Sequence, residues 1–293
     1  MPRTADAKPF TKPLWYWALL VVLVAVIALT AVPAFTVTGG HKLQQPGAED
    51  FFPGAIFGEG TLLEFNRLTL VRVVMGVALC LTVGVVASRI KIVPGRGQAL
   101  LEIVADFVRS NVAFTLLGNK NGRRFAPLLG TLFLGVLAMN LAGVIPGLNI
   151  AASSVVAVPM VFAALTYITF IGAGIREQGV GHFFASQLMP PGLPKVMYLL
   201  ITPIEFLSNF IVRPVTLTLR LLCNMVSGHM LLAMTFFGTT SLLLHLQASS
   251  TISLLTGASM IVMTLFEIFV AVLQAYIFTI LSAVYIKLSI EAH

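Results

Sequence analysis

The sequence predicts an all-α polytopic membrane protein, with about six membrane-inserted helices, the last two unusually long, and one amphipathic surface helix. Three observations carry this. Hydrophobic residues make up 58% of the 293-residue chain and charged residues only 10%, against about 25% charged in soluble domains. Apolar runs long enough to cross a bilayer recur along the chain. The basic residues sit beside those runs, where flanking charge sets membrane orientation. The net charge of +7 is therefore read as topology, not as a nucleic-acid patch. Cys80 and Cys223 lie far apart inside apolar stretches without metal-ligand spacing, so they are read as small apolar residues.

The first apolar run covers residues 14–35 behind Arg3, Lys8 and Lys12. It reads as a transmembrane helix with its N-terminus inside. A signal peptide competes, since Val32-Pro33-Ala34 resembles a cleavage site, but the run exceeds the ~7–15 residues of a signal core. Residues 37–65, polar and rich in Gly and Pro, read as an external loop. Residues 1–67 thus form an N-terminal segment ahead of a membrane domain, 68–293. The second span covers 68–88, with Arg72 near its outer end, and ends in Arg89, Lys91 and Arg96. In residues 98–117, Leu101, Val104, Val108 and Val112 recur at helical steps while Glu102, Asp106 and Arg109 share another face. That pattern predicts an amphipathic helix along the inner surface, broken by the basic segment Asn119 to Arg124. A third span follows over 125–145 and a fourth over 155–175. Gly179, Gly181, Pro190, Pro191, Gly192 and Pro194 mark a loop over 176–196. The remaining stretches, 196–244 and 251–290, far exceed the ~20 residues a crossing needs, so tilt, kinks at Pro203 or Pro214, or a surface segment must absorb the excess. The count gives six crossings with both termini cytoplasmic.

Ionisable residues inside apolar helices cost roughly 2.5–3.5 kcal/mol by insertion scales, so function is sought there. Thr216, Arg220, Asn224 and Ser227 share one helix face by their spacing, while His229 lies about half a turn round from Arg220. In the last helix Glu267 and Gln274 share a face. Glu267 sits among Phe266, Ile268 and Phe269 and needs a partner or a proton; His229 is the expected partner. Blander readings stand beside these. Arg220 as a headgroup anchor is disfavoured by its depth, and Arg213 beside Pro214 fits that role better. His229 as a helix-contact histidine, Glu267 as a protonated spectator and Glu205 as an interfacial charge stay open. His245 reads as a loop histidine and Asn140 as a helix bridge.

Pro214-x-Thr-Leu-x-x-Arg220-Leu-x-x-Asn224-x-x-x-Gly228-His229 resembles the signature of subunit a of F-type ATP synthases. Gln274-Ala-Tyr-Ile-Phe-x-x-Leu-x-x-x-Tyr285 resembles that family's last helix, and the likeness covers residues 61–293. It implies two long, strongly tilted helices packed against a ring of c subunits, with b subunits of a peripheral stalk and the lipid bilayer as further partners. Arg220 would match the essential arginine, with Asn224 and Gln274 its polar neighbours. His229 and Glu267 would match a contacting pair lining an outer aqueous half-channel. Glu205 resembles a channel glutamate, although its spacing to Arg220 is one residue longer than in many members. Gly143 stands where an acidic residue is common, and the run 14–35 is an addition.

Physical logic runs the same way. Arginine does not lose its proton, so Arg220 cannot relay one. It can attract a passing carboxylate and repel a proton crossing directly, separating two offset half-channels. A unit charge crossing 100 mV releases ~2.3 kcal/mol, so several protons must be gathered by rotation for each ATP. The sequence holds no GxxxxGK[ST] motif, so the expectation is a non-catalytic subunit that binds neither nucleotide, cofactor nor metal. A secondary transporter would call for a repeat between halves, and an intramembrane enzyme for a constellation such as HExxH; the sequence shows neither. The N-terminus lacks an Arg- and Ser-rich transit peptide, which points to a bacterial plasma membrane.

Overall fold

The computed structural model describes residues 55–57, 65–91, 94–145, 155–189, 197–244 and 250–291. The expectations for the run 14–35, for most of the loop 37–65, for Pro190 to Pro194 and for His245 lie outside them. Apart from a short antiparallel pairing of β1 (Ala55–Phe57) with β2 (Phe65–Asn66), the described chain is helical. Five of its helical stretches are long and apolar enough to cross a membrane.

Helix α1 (Arg67–Ser88) starts at Asn66, whose side chain accepts from the Thr69 amide at 2.9 Å and so caps an otherwise unpaired donor. The expected amphipathic helix is α2 (Arg96–Val108), extended by a π-helical turn over Arg109–Phe114. Val108 and Val112 are buried while Glu102, Asp106 and Arg109 are exposed, as the sequence spacing predicts. Helix α3 (Thr115–Leu141) follows without a loop. The basic segment Asn119 to Arg124 was expected to break the helix; it is helical. The change of direction is confined to Gly118, at φ 70° and ψ 178°, a conformation open to glycine at little cost. Lys and Arg are good helix formers, so the chain resumes at once.

Helix α4 (Ala157–Gln178) ends at Gly179, with φ 80°. The loop expected over 176–196 instead contains a helix, α5 (Val180–Leu188), because Gly179 supplies a sharp elbow and Phe183 then packs fully buried. Helix α6 (Tyr198–Phe206) leads through a second π turn (Leu207–Val212) into α7 (Arg213–Leu244). Pro214 removes one backbone donor and crowds the preceding turn, and the wider π turn lies there. Helix α8 (Ser250–Ile290) is 41 residues long and α7 is 32. At 1.5 Å per residue these reach ~60 and ~48 Å, well beyond a ~30 Å hydrocarbon layer.

The core sits where α8 packs against α3, α4 and α7. Leu129, Leu132 and Val136 of α3 meet Leu217 and Leu221 of α7 and Ala275, Phe278 and Ile286 of α8 in one buried cluster. Small residues set the spacing, as expected between helices in lipid. A Cβ on Gly135 would lie 2.9 Å from the Phe162 ring. A Cβ on Gly174 would collide with both Phe183 and the Ser289 hydroxyl. Gly174→Val is therefore expected to destabilise the protein by about 1–3 kcal/mol, read as a lower unfolding temperature in detergent.

Polar ties reinforce the same seam. The Thr166 and Ser282 hydroxyls are hydrogen-bonded at 3.0 Å, and Gln178 donates to the Ser289 carbonyl at 2.8 Å. At one end of α3 and α4, Arg124 and Glu177 form an ion pair at 2.8 Å.

Candidate functional site

Helix α7 has two distinct sides. Leu217, Leu221 and Met225 recur every four residues and are buried in the core. Thr216, Arg220, Cys223, Asn224 and Ser227 are exposed on the other side. Arg220 makes neither a hydrogen bond nor an ion pair among the described residues. It is a cation inside the apolar helical stretch 197–244, exposed and without an anion among the described residues, where a charge is costly.

Helix α8 lies behind this face. Asn224 donates from Nδ2 to Oε1 of Gln274 at 2.7 Å, tying the turn after Arg220 to the buried side of α8. Gln274 is 3% exposed, and its Nε2 has no hydrogen-bond partner. One turn beyond Asn224, a cavity of about 190 Å³ opens between α7 and α8, walled by Asn224, Ser227, Gly228, Met263, Phe266 and Glu267 among others. A water occupies ~30 Å³ of liquid volume, so this space is large enough for several.

Glu267 projects against the cavity wall and is 4% exposed. Neither of its carboxyl oxygens has a hydrogen-bond partner. No hydrogen bond joins Glu267 to its expected partner His229. The α7 residue that faces the carboxyl is Gly228, whose missing Cβ would sit 3.8 Å from Oε1, while His229 next to it is half-buried. Adjacent helical residues differ by ~100°, so Gly228 and His229 leave α7 in different directions.

Glu205 lies on α6, about 20 Å before Arg220 along the helix axis, while Gly228 and Glu267 lie about 12 Å beyond it. The fixed cation thus sits between two carboxyl groups. Glu205 is bound by Asn209, whose Nδ2 donates to Oε2 at 2.9 Å. Asn209, 3% exposed, was not anticipated; it lies inside the apolar run Phe206-Leu-Ser-Asn-Phe210, and only its polarity there could have signalled it. Arg213, expected as a headgroup anchor, lies over the Tyr285 ring at 5.5 Å, a cation–π contact with α8. Asn140 is fully buried near the end of α3.

Long apolar helices, an exposed arginine within one of them and a buried carboxyl beside a cavity define a polytopic helical membrane protein with ionisable groups inside its apolar helices. Residues 69–287 match the ATP synthase A chain family, and the chain belongs to that family. It is similar to ATP synthase subunit a of Rhodococcus erythropolis, 37% identical over 262 residues, covering 88% of this chain and 94% of the relative. It is likewise 41% identical to ATP synthase subunit a of Parafrankia over 203 residues, covering 69% and 68%, and 32% identical to that of Streptomyces lividans over 263 residues, covering 87% and 90%.

Proposed function

We propose that this chain is the proton-translocating stator subunit of an F-type ATP synthase. In this reading it forms two offset half-channels against a ring of c subunits, with b subunits completing the stator, in a bacterial plasma membrane with both termini cytoplasmic. The observation that carries the reading is Arg220, exposed and unpaired on α7 between two carboxyl sites. A ring carboxylate moving past would find its counter-charge there, because an opposite charge nearby favours the ionised form. The same cation repels a proton that would cross directly. The cavity at Glu267 supports one half-channel and the Glu205 site the other, so protons pass between them on the ring. ATP chemistry then belongs to other subunits, and this chain contributes no catalytic group.

Cys223 tests the placement. It is exposed on the same face as Arg220, three residues on. With Cys80 replaced by serine, oxidation should cross-link Cys223 to a cysteine introduced beside the ion-binding carboxylate of subunit c. The product would be seen as an a–c band on a non-reducing gel. Failure to cross-link any position along that c helix, in an assembled enzyme, would remove the ring from this face. A transporter reading would then regain ground.

A further inference from the structure

We infer that Asn209 is a positioning residue of the proton pathway, holding the Glu205 carboxylate in one orientation on the far side of Arg220 from Glu267. This rests on the proton-pathway reading above. Four observations converge on it.

First, the Asn209 amide is committed in one direction. Its Nδ2 donates to Glu205 Oε2 at 2.9 Å and to the backbone carbonyl of Gln187 at 3.0 Å. Both partners are acceptors, so only the NH2 end of the amide serves there.

Second, that choice leaves the Asn209 Oδ1 buried with no hydrogen-bond partner. An unmade buried acceptor is unfavourable. A residue selected for stability alone would not leave one in an apolar helix, and broken local rules gather at functional positions.

Third, the backbone under Asn209 is π-helical, over Leu207–Val212. Such turns shift the carbonyl pattern and occur often at functional sites. The Asn209 carbonyl accepts from the Tyr167 hydroxyl of α4 at 3.4 Å.

Fourth, α5 is itself anchored elsewhere. Gln187 donates to the Leu288 carbonyl of α8 at 3.4 Å, and Ser186 donates to Gln178 of α4 at 3.1 Å. The Gln187 carbonyl that fixes Asn209 therefore belongs to a helix tied to α4 and α8. Glu205 is oriented from the helix bundle, not by its own flexible stem alone.

The test uses the assembled enzyme in the host membrane. Passive proton conduction is measured in vesicles stripped of the catalytic head, under an imposed potassium diffusion potential, with assembly checked by subunit content. Asn209→Leu removes the donor at similar volume and should slow conduction about tenfold, comparable with losing a group that orients a reactive ligand. Asn209→Ser keeps a donor and should return the rate to within about threefold of the parent. In a Glu205→Gln background, Asn209→Leu should add no further loss, because its effect runs through Glu205. An equal loss in both backgrounds, a serine variant as slow as leucine, or no loss at all would overturn the inference and leave Asn209 as a brace between α5 and the π turn. If the leucine variant does not assemble, Asn209→Asp replaces it: isosteric, without the donor, and expected to be slow alone but no slower than Glu205→Gln when combined with it. Arg220→Ala separates the two levels of failure through ATP-driven acidification in the intact enzyme, because removing the cation would also open a passive leak. Parental pumping by that variant overturns the proton-pathway reading itself; lost pumping there with normal conduction in the Asn209 variants overturns only this inference.

Discussion

Replacing Arg220 with alanine is expected to abolish ATP-driven acidification of inverted membrane vesicles, a loss on the order of 100-fold or more, while the subunit still assembles. Both halves of that result follow from one fact. The side chain is exposed and makes no hydrogen bond or ion pair among the described residues. Its removal therefore breaks no hydrogen bond or ion pair among the described residues, and exposed positions of that kind change stability by only about 0.5 kcal/mol. What disappears is the cation that a ring carboxylate would meet. Arg220→Lys keeps the charge but loses the planar fork that pairs with a carboxylate in two-point fashion, so it should also pump poorly. Pumping at the parental rate in the alanine variant would reduce Arg220 to a passive anchor.

Glu267→Leu should move stability and transport in opposite directions. The carboxyl is buried with both oxygens unsatisfied. Leaving a buried polar group without partners costs about 1–3 kcal/mol, and leucine of similar volume removes that cost. The variant is expected to unfold at a higher temperature in detergent. The cavity loses its one titratable wall, so pumping should fall at least ~10-fold, in the range lost with a positioned acid–base group. Lower stability with intact pumping would make Glu267 a structural residue.

Much of this architecture is written in the sequence, because lipid permits few alternatives. Residues 68–88, 155–175 and the two long C-terminal stretches are recognisable by hydrophobicity alone, and each is found as a helix. The Arg220–Asn224 face is legible from helical spacing, and so is the buried side marked by Gln274. What escaped has local causes. Gly179 and the prolines after it read as a loop, yet one glycine at φ 80° makes only an elbow, and α5 forms beyond it. The basic segment after Gly118 read as a break because charge was taken for a boundary, although Lys and Arg favour helices. That Gly228 is the α7 residue lying against Glu267 escaped because sequence distance does not say which of two neighbours on α7 faces a given group on α8. Asn209 escaped because a single amide in an apolar run carries no periodic signal.

The π turn at Leu207–Val212 behaves as a frame correction. Glu205 and Arg220 are fifteen residues apart, one residue more than the family resemblance leads one to expect. An uninterrupted α-helix would carry the extra residue as ~100° of added rotation. A π bulge holds one residue beyond the α turn it replaces and cancels that advance. Glu205 thereby returns to the angle it would have with the shorter spacing. Deleting Leu207 should then convert the bulge to an ordinary turn and preserve transport, whereas deleting Leu219 should rotate everything upstream relative to Arg220 and stop it. Vesicle acidification by the two deletion variants, compared at equal subunit content, measures the difference. The helix thus holds a one-residue slack at Leu207–Val212 that it does not hold at Leu219.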